Sequence, residues 1–324
     1  MNVLVLAYGG GDAASTVYRF RACRPLWAEE GHRLDVISVR DLPPDFWQRL
    51  KEYDAVVNQK ALLPGRFRRR LLSAGPPVFF DFDDAIWMRP GRPYSAVTRW
   101  RVEWRLRHWL AGVRGVTTAN EVLAAYARRH AARVFVMPMA LDLSLWRSRP
   151  RVPHDEVRIG WAGSPGNLGS LEQCRTALQA VLARHPRARL AVFCGRRPEI
   201  NIPLDYVPYA PGGEALFVAD LDIGILPLKD EPYSHGKSPI KALQYLSCGV
   251  PVVGNVFGAT REILDENNSL AVATPTEWET ALGRLIEDPA LRHRLGQAGR
   301  RKVEQNHNLE RVARRLREIL TAAD

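Results

Sequence analysis

The residues best suited to chemistry are gathered between Tyr233 and Asn255, in the run YSHGKSPIKALQYLSCGVPVVGN. Ser238 is placed to cap a helix whose first residue is Pro239, a position that tolerates proline because the amide there has no intrahelical partner. Gly249 ends that helix. Before the cap, His235, Gly236 and Lys237 let the backbone approach a ligand closely, and the helix N-terminus offers unpaired amides and partial positive charge to an anion. The stretch predicts a phosphate seat, with Lys237 as a mobile cation. Lys241 and Gln244, three residues apart, share the helix face that starts at the seat. A well-capped helix packed on a sheet, with both lysines merely solvated, accounts for the same residues without a ligand.

A second group is acidic. Asp83 and Asp84 follow the apolar run Pro77 to Phe82, at the carboxyl edge where open parallel sheets carry ligand residues. Asp81 and Asp83 alternate onto one side of a strand and Asp84 onto the other. No histidine or further carboxylate lies near in sequence to complete an octahedral site, so a helix cap or an acceptor contact fits these acids better than a metal.

The elements that must hold these groups are legible as an alternation. Val3 to Ala7 is an apolar run, followed by the glycine loop Tyr8 to Asp12 and an amphipathic stretch from Ser15 to Glu30. Further strands are predicted at 32–39, 53–58, 77–82, 115–118 and 134–137, with helical stretches between, including 94–110 and 120–130. This order argues a parallel sheet covered on both faces. The glycine run lacks the spaced G-x-G-x-x-G and the acidic residue closing the second strand, so it is not a dinucleotide fingerprint. Pro138 to Pro153 reads as a linker. The pattern then restarts with Val157 to Trp161, the loop Gly163-Ser164-Pro165-Gly166-Asn167 and a helix from Ser170 to Arg184. Strands follow at 189–194, 204–207 and about 219–226. Arg311 to Leu320 is a helix that can cross back onto the first half.

With 324 residues and ordinary apolar and charged fractions, the chain is long enough for two domains with separate cores. No apolar run reaches the length of a membrane span, and the N-terminus enters a strand without a basic leader, so a cytoplasmic protein is expected. Cys23, Cys174, Cys194 and Cys248 lack metal-type spacing and are expected as buried free thiols. The formal charge of +11 is uneven: residues 1–150 hold 24 Lys and Arg against 14 Asp and Glu, whereas residues 151–324 hold 22 against 21. Such a field exceeds what a small nucleotide needs and points to an anionic acceptor or membrane surface, with solubility as the alternative. The stretch 94–110, with three tryptophans and with Arg101, Arg105 and His108 on one stripe, could rest on lipid headgroups together with the arginines of 66–70, or could simply cover the sheet.

The order ADLDIGILPL, HGKSPIKALQYLSCGVPVVGN and GATREIL resembles the donor-binding half of GT-B glycosyltransferases, in particular the retaining glycosyltransferase family four, or group 1 glycosyltransferases. The N-terminal STVYRFRACRPLWAEEGHRLDVISV resembles that group's opening helix and second strand, so the resemblance spans nearly the whole chain. It implies an α/β protein of two Rossmann-like, doubly wound domains facing a cleft: 1–140 for the acceptor, a linker at 141–153, and 154–307 for the donor, with 308–324 packing back on the first. It implies transfer of a hexosyl group from a nucleotide-diphosphate sugar to a sugar or lipid-linked acceptor, with retention, without a metal or other cofactor and without nucleic acid. Surface polysaccharide or glycolipid synthesis is the expected setting, at the inner face of the membrane.

Members of this group often carry two glutamates with seven residues between them. Counting back from Gly249, those positions hold Gly236 and Gln244 here; Gln244 can still bond ribose hydroxyls, whereas Gly236 cannot replace a carboxylate. Where many relatives place Arg and Lys on the diphosphate, this chain has Ser164-Pro165-Gly166-Asn167, so the amides of Gly163 and Ser164, the Asn167 side chain and Lys237 are expected to share that role. Arg196 and Arg197 are further candidates. Gly258 and Glu262 complete the donor side, and Gly10, Gly11, Arg19 and Arg21 stand on the acceptor side. Lys237 is expected to stabilise the leaving group, with Asp83 or Asp84 as base. A nucleotide-sugar epimerase and a non-catalytic GT-B subunit are the rival readings.

Overall fold

The computed structural model describes residues 1–147 and 155–322. The described strands are β1 (Asn2–Ala7), β2 (Arg33–Ser38), β3 (Ala55–Gln59), β4 (Val78–Phe82), β5 (Gly115–Thr118), β6 (Val134–Val136), β7 (Val157–Ala162), β8 (Ala188–Cys194), β9 (Asp205–Pro208), β10 (Ile223–Leu226), β11 (Val252–Gly254) and β12 (Ser269–Ala271). The described helices are α1 (Ala14–Arg19), α2 (Arg24–Glu29), α3 (Phe46–Arg49), α4 (Gly65–Leu72), α5 (Ala96–Gly112), α6 (Glu121–Ala127), α7 (Arg175–Arg184), α8 (Glu214–Ala219), α9 (Pro232–His235), α10 (Ile240–Ser247), α11 (Pro275–Glu287), α12 (Pro289–Asn306) and α13 (Leu309–Thr321).

The chain forms two compact units. The first comprises Met1–Ala140, Pro232–Ser238 and Asn308–Asp324; the second comprises Leu141–Glu231 and Pro239–His307. Residues 148–153 of the predicted linker lie outside the described residues. The segment 232–238, placed on sequence in the donor half, falls within the first unit.

The first unit is built on a six-stranded sheet of order β2-β1-β3-β4-β5-β6, parallel throughout. Apolar runs such as Val3–Ala7 and Val78–Phe80 are buried along their length, as a sheet covered on both faces requires. The predicted helix from Ser15 to Glu30 is broken. Phe20 leaves helical geometry at φ −133°, a 3-10 turn spans Arg21–Cys23, and α2 restarts with Pro25 in its first turn. A continuous helix would have set the Pro25 ring against the carbonyl four residues earlier. One flank of the sheet is closed by α13, whose Leu309, Val312, Leu316, Ile319 and Leu320 recur at helical spacing and join a core with Val3, Val5 and Phe79. Trp27 Nε1 donates to the Ala313 carbonyl at 3.2 Å, and Arg317 pairs with Glu30.

The second unit repeats the design, with a parallel sheet of order β12-β11-β10-β7-β8-β9. The predicted helix from Ser170 begins instead as a 3-10 helix over Pro165–Cys174 before α7, although its expected apolar side, Leu171, Cys174, Leu178 and Val181, is buried as predicted. Trp278, Leu282 and Leu285 of α11 pack into the same core, and α11 starts with a capping box between Thr274 and Glu277. All four cysteines are buried free thiols. Among the described residues no helix is long and apolar enough to cross a membrane.

Candidate functional site

In each sheet the chain reverses its winding direction, in the first unit between β1 and β3 and in the second between β7 and β10. Open parallel sheets bind ligands at the carboxyl ends of the strands flanking such a reversal.

In the first unit that edge carries Lys60, a residue that sequence reasoning did not single out. Asn58, fully buried at the end of β3, accepts from the Ala61 amide at 3.2 Å and donates to the Ala61 carbonyl at 2.9 Å. The Lys60 amide meanwhile donates to Asp81 O at 2.7 Å. This clamp turns the chain within one residue and holds Lys60 at φ 48°, a left-handed conformation uncommon outside glycine. Its ammonium lies 2.7 Å from Asp83 and 3.8 Å from Asp84. Burial opposes the charge on Lys60, but the two carboxylates more than offset it and hold its pKa above the ordinary lysine value.

The three acids part company here. Asp81 is fully buried against Arg19 and accepts the Thr117 hydroxyl at 2.7 Å, so it is part of the core. Asp83 is held by Lys60. Asp84 is the more accessible of the remaining two, at 31% against 8% for the side chains, and the Tyr233 hydroxyl donates to it. Burial and the neighbouring Asp83 push the Asp84 carboxyl above the usual carboxylate range, against the pull of Lys60, Lys237 and Tyr233. Among the described residues no group of three His, Cys, Asp or Glu is placed to hold a metal ion.

The loop from 235 to 238 is tied to the first unit by Asn120. Its Nδ2 donates to Gly236 O and to Ser238 Oγ, both at 3.0 Å, while its Oδ1 caps α6 by accepting from Leu123 N. This corrects two expectations. Ser238 caps no helix, because its hydroxyl is engaged by Asn120; α10 begins at Ile240 with Pro239 at the cap position and no side-chain cap. The amides of Gly236 and Lys237 do not face a ligand either, because they donate to Tyr233 O and Ser234 O in the turn closing α9. A Cβ at Gly236 would come within 2.8 Å of Leu123 Cδ2 and 3.4 Å of Ala85 Cβ, so a larger residue there needs the Leu123 side chain to shift. His235 stands half-buried in the last turn of α9, and Lys237 is half-buried with its charge felt by Asp84.

On the acceptor side, Arg19 cannot reach a ligand. It is fully buried, with Nε donating to both Asp81 oxygens at 2.9 and 3.0 Å and Nη1 donating to Met137 O at 2.7 Å. Gly10, at φ 82°, and Gly11 form the loop after β1 and are partly accessible, and Arg21 is exposed beside them in an ion pair with Asp12.

In the second unit, the loop after β7 is closed on itself. The Gly163 amide donates to Phe193 O at 3.1 Å and is therefore not available to a phosphate, contrary to expectation. Glycine is needed there because a Cβ would lie 2.3 Å from the Trp161 ring. Ser164 and Asn167 are exposed, and the Asn167 amide side chain donates to Ser164 Oγ at 3.1 Å. After β11, Gly258 at φ 51° opens a 3-10 turn that ends at the exposed Glu262. Arg196 and Arg197 are exposed in the loop after β8.

Lys241 and Gln244 do share a helix face, and both are directed at Glu214, the first residue of α8. Gln244 is fully buried and donates from Nε2 to Glu214 at 2.9 Å; Lys241 pairs with the other carboxylate oxygen. Glu214 was missed because it lies 30 residues upstream of Gln244. The only sequence signal for it is an acid opening a short apolar helix after Gly212-Gly213. Further along α10, the buried Tyr245 hydroxyl accepts from the Ala162 amide at 3.0 Å and so pins the end of β7.

Residues 172–318 match the family model described as Glycosyl transferase-like. No curated protein matches the sequence. Similar solved structures include the sucrose-phosphate synthase of Thermosynechococcus elongatus, at 17% identity and a TM-score of 0.76, covering 100% of both chains. HepE of Anabaena in complex with UDP and glucose matches at 13% identity and a TM-score of 0.72, covering 99% of this chain and 100% of that one. HepE in complex with UDP-glucose matches at 15% identity and a TM-score of 0.73, with the same coverage. At these identities the likeness is one of fold.

Proposed function

We propose that this chain, whose fold is that of the GT-B glycosyltransferases it resembles and whose residues 172–318 match a glycosyl transferase-like model, is itself a glycosyltransferase that moves a sugar from a nucleotide-diphosphate sugar to an acceptor hydroxyl with retention of configuration. The observation that carries this reading is the winding reversal between β7 and β10, which opens a crevice at the carboxyl ends of those strands. The complexes of HepE with UDP and with UDP-glucose support a nucleotide sugar as the donor class.

In this reading Ser164, Asn167, Gly258 and Glu262 line the donor crevice. The ribose hydroxyls meet the Glu214 carboxylate, with Gln244 and Lys241 holding it in place. The first amides of α10, which have no intrahelical acceptor, and Lys237, three residues before that helix, take the charge of the diphosphate. The reaction breaks the bond from the anomeric carbon to the phosphate oxygen and forms one to the acceptor oxygen. Negative charge grows on the departing phosphate, and fixed donors stabilise it most when the charge is complete. That phosphate accepts the acceptor's proton, assisted by Asp84, whose side chain is more accessible than that of Asp83 and whose carboxyl is held above the usual carboxylate range by burial. No resident metal or cofactor is needed for these steps. The basic first half favours an acceptor that is lipid-linked or anionic, as in surface polysaccharide or glycolipid assembly.

The test is Lys237→Ala, with transfer and nucleotide-diphosphate binding measured separately. Turnover should fall by roughly 100-fold or more, as when one leaving-group donor is lost, while a nucleoside diphosphate still raises the melting temperature. An unchanged rate removes Lys237 from the mechanism. Donor returned as its epimer in the absence of acceptor would sink the transfer reading altogether.

A further inference from the structure

The outer face of α5 has no partner within the described residues, and its chemistry is two-sided. Leu106, Trp109 and Leu110 turn inward, with Trp109 packed 5.7 Å from Phe80 between ring centroids. Val97, Trp100 and Trp104 turn outward, at 67%, 65% and 48% exposure. Steps of three and four residues put them in one row. The Trp100 and Trp104 rings stack at 6.5 Å, and Trp104 lies 4.1 Å from the His108 ring, so the row is continuous. Of the three tryptophans in this stretch the fold buries Trp109 and presents Trp100 and Trp104.

Exposed indoles are costly to leave in water, and the charges beside them select the partner. Arg99, Arg101 and Arg107 are exposed on α5, and Arg89 and Arg92 are exposed in the loop before it. Arg68 of α4 donates to the His108 carbonyl at 2.8 Å, which fixes α4 beside the end of α5 with Arg66 and Arg69 exposed on it, while Arg70 is turned onto the Trp47 ring, 4.0 Å from its centroid. Glu103 is the one acid in α5, and it is paired with Arg107. A second copy of the same face would bring like charges together. An acidic protein groove would need one deep pocket per ring, whereas these two rings form one shallow row, their centroids 6.5 Å apart and their planes 28° from parallel. An apolar row of valine and tryptophan, flanked by arginines and parallel to the surface, matches a bilayer interface, where indoles favour the headgroup level and guanidinium groups favour lipid phosphates.

We infer that the Val97, Trp100 and Trp104 face of α5, with its flanking arginines, docks this protein on an anionic lipid bilayer. This deepens the lipid-linked acceptor reading above, and it does not depend on transfer itself. The test is sedimentation of the full-length protein with large unilamellar vesicles of phosphatidylcholine alone or with 30% phosphatidylglycerol, a composition set by the experimenter at roughly the anionic content that supports polybasic binding. The expected result is binding to the anionic vesicles that weakens as salt shortens the Debye length. Trp100→Ser with Trp104→Ser should reduce partitioning on the order of tenfold or more, and Arg99→Gln with Arg101→Gln should reduce it and flatten its salt dependence. Both pairs are exposed, so the melting temperature and its rise with nucleoside diphosphate should match wild type. Protein that stays in the supernatant at low salt overturns the inference, as does equal binding by the tryptophan variant. Concentration-dependent self-association that the tryptophan variant abolishes also overturns it, by making the face an interface between copies. Vesicle binding without a nucleotide-induced shift would instead defeat the donor reading and leave the surface intact.

Discussion

Replacing Arg19 with Met breaks an ion pair of the first unit in which both partners are fully buried. Arg19 and Asp81 are both at 0% exposure, and the carboxylate has three sources of donors: Arg19 Nε, Arg19 Nη2 and the Thr117 hydroxyl. Burial works against the arginine's charge, yet Asp81 more than restores it, so the guanidinium remains protonated and its pKa is raised. Methionine fills similar volume but leaves a buried carboxylate with one hydroxyl. Breaking a buried pair from one side in this way costs about 3–5 kcal/mol. Thr117→Val removes a single hydrogen bond to the same oxygen and should cost nearer 1–3 kcal/mol, because its partner is charged. The pair itself is worth less than its rupture, since replacing both members with apolar residues is often neutral. Arg19→Met combined with Asp81→Leu should therefore recover much of the loss shown by either single change.

Because the chain has two compact units, one global transition is not assured, so the assay is hydrogen exchange in urea read on peptides from β4 and β5. Loss of about 3–5 kcal/mol corresponds to a midpoint roughly 1–2 M lower in urea. If Arg19→Met unfolds at the wild-type urea concentration while losing transfer, the side chain acts on a ligand and its structural assignment is wrong. Strict additivity in the double change would refute the coupling.

Two further outcomes follow from protonation. Asp84 has a folded pKa above that of an unfolded aspartate, near 3.9, so between that pH and the raised value the folded state keeps a proton that the unfolded chain has released. Stability should fall as pH rises through that window, and Asp84→Asn, which cannot titrate, should gain on wild type over the same range; a constant gap in melting temperature from pH 4 upward would contradict the assignment. Burial pushes the Cys23 and Cys174 thiols up to about 12, so neither should react with a water-soluble maleimide at neutral pH until the chain is unfolded in urea. Mass spectrometry of native and unfolded protein checks this, and fast native labelling at either position would rule it out.

The alternation of apolar runs with amphipathic stretches was enough to read two parallel sheets, because each buried strand carries its own signature and parallel strands need crossovers. Helix ends such as Gly249, at φ 72° with Val250 N donating to Tyr245 O at 3.0 Å, were equally local and equally readable. The break at Phe20 was less so, although Pro25 announced it. What could not be read were pairings across long separations: Arg19 with Asp81, Glu214 with Gln244, and Asn120 with Ser238, 118 positions apart.

That last pairing explains why a sound local rule misassigned the start of α10. Serine before proline at the head of an apolar helix satisfies every local condition for an N-cap. A cap is worth about 1 kcal/mol, and it competes with any other acceptor or donor that the fold brings to the same hydroxyl. Asn120 already has its Oδ1 committed to Leu123 N, which leaves its amide group to find acceptors, and Gly236 O and Ser238 Oγ lie at 3.0 Å from it. A buried side-chain amide left unsatisfied costs about 1–3 kcal/mol, so drawing Ser238 away from the helix removes the larger penalty. The consequence reaches the site. With Ser238 held in the first unit and Pro239 belonging to the second, the break between the two units falls inside the segment that the sequence nominates for phosphate binding. Asn120→Ala removes the α6 cap together with both contacts to the 236–238 segment, so it should lower the melting temperature of the apo protein by more than Ser238→Ala, which removes one of those contacts alone; equal melting temperatures for the two variants would refute the assignment.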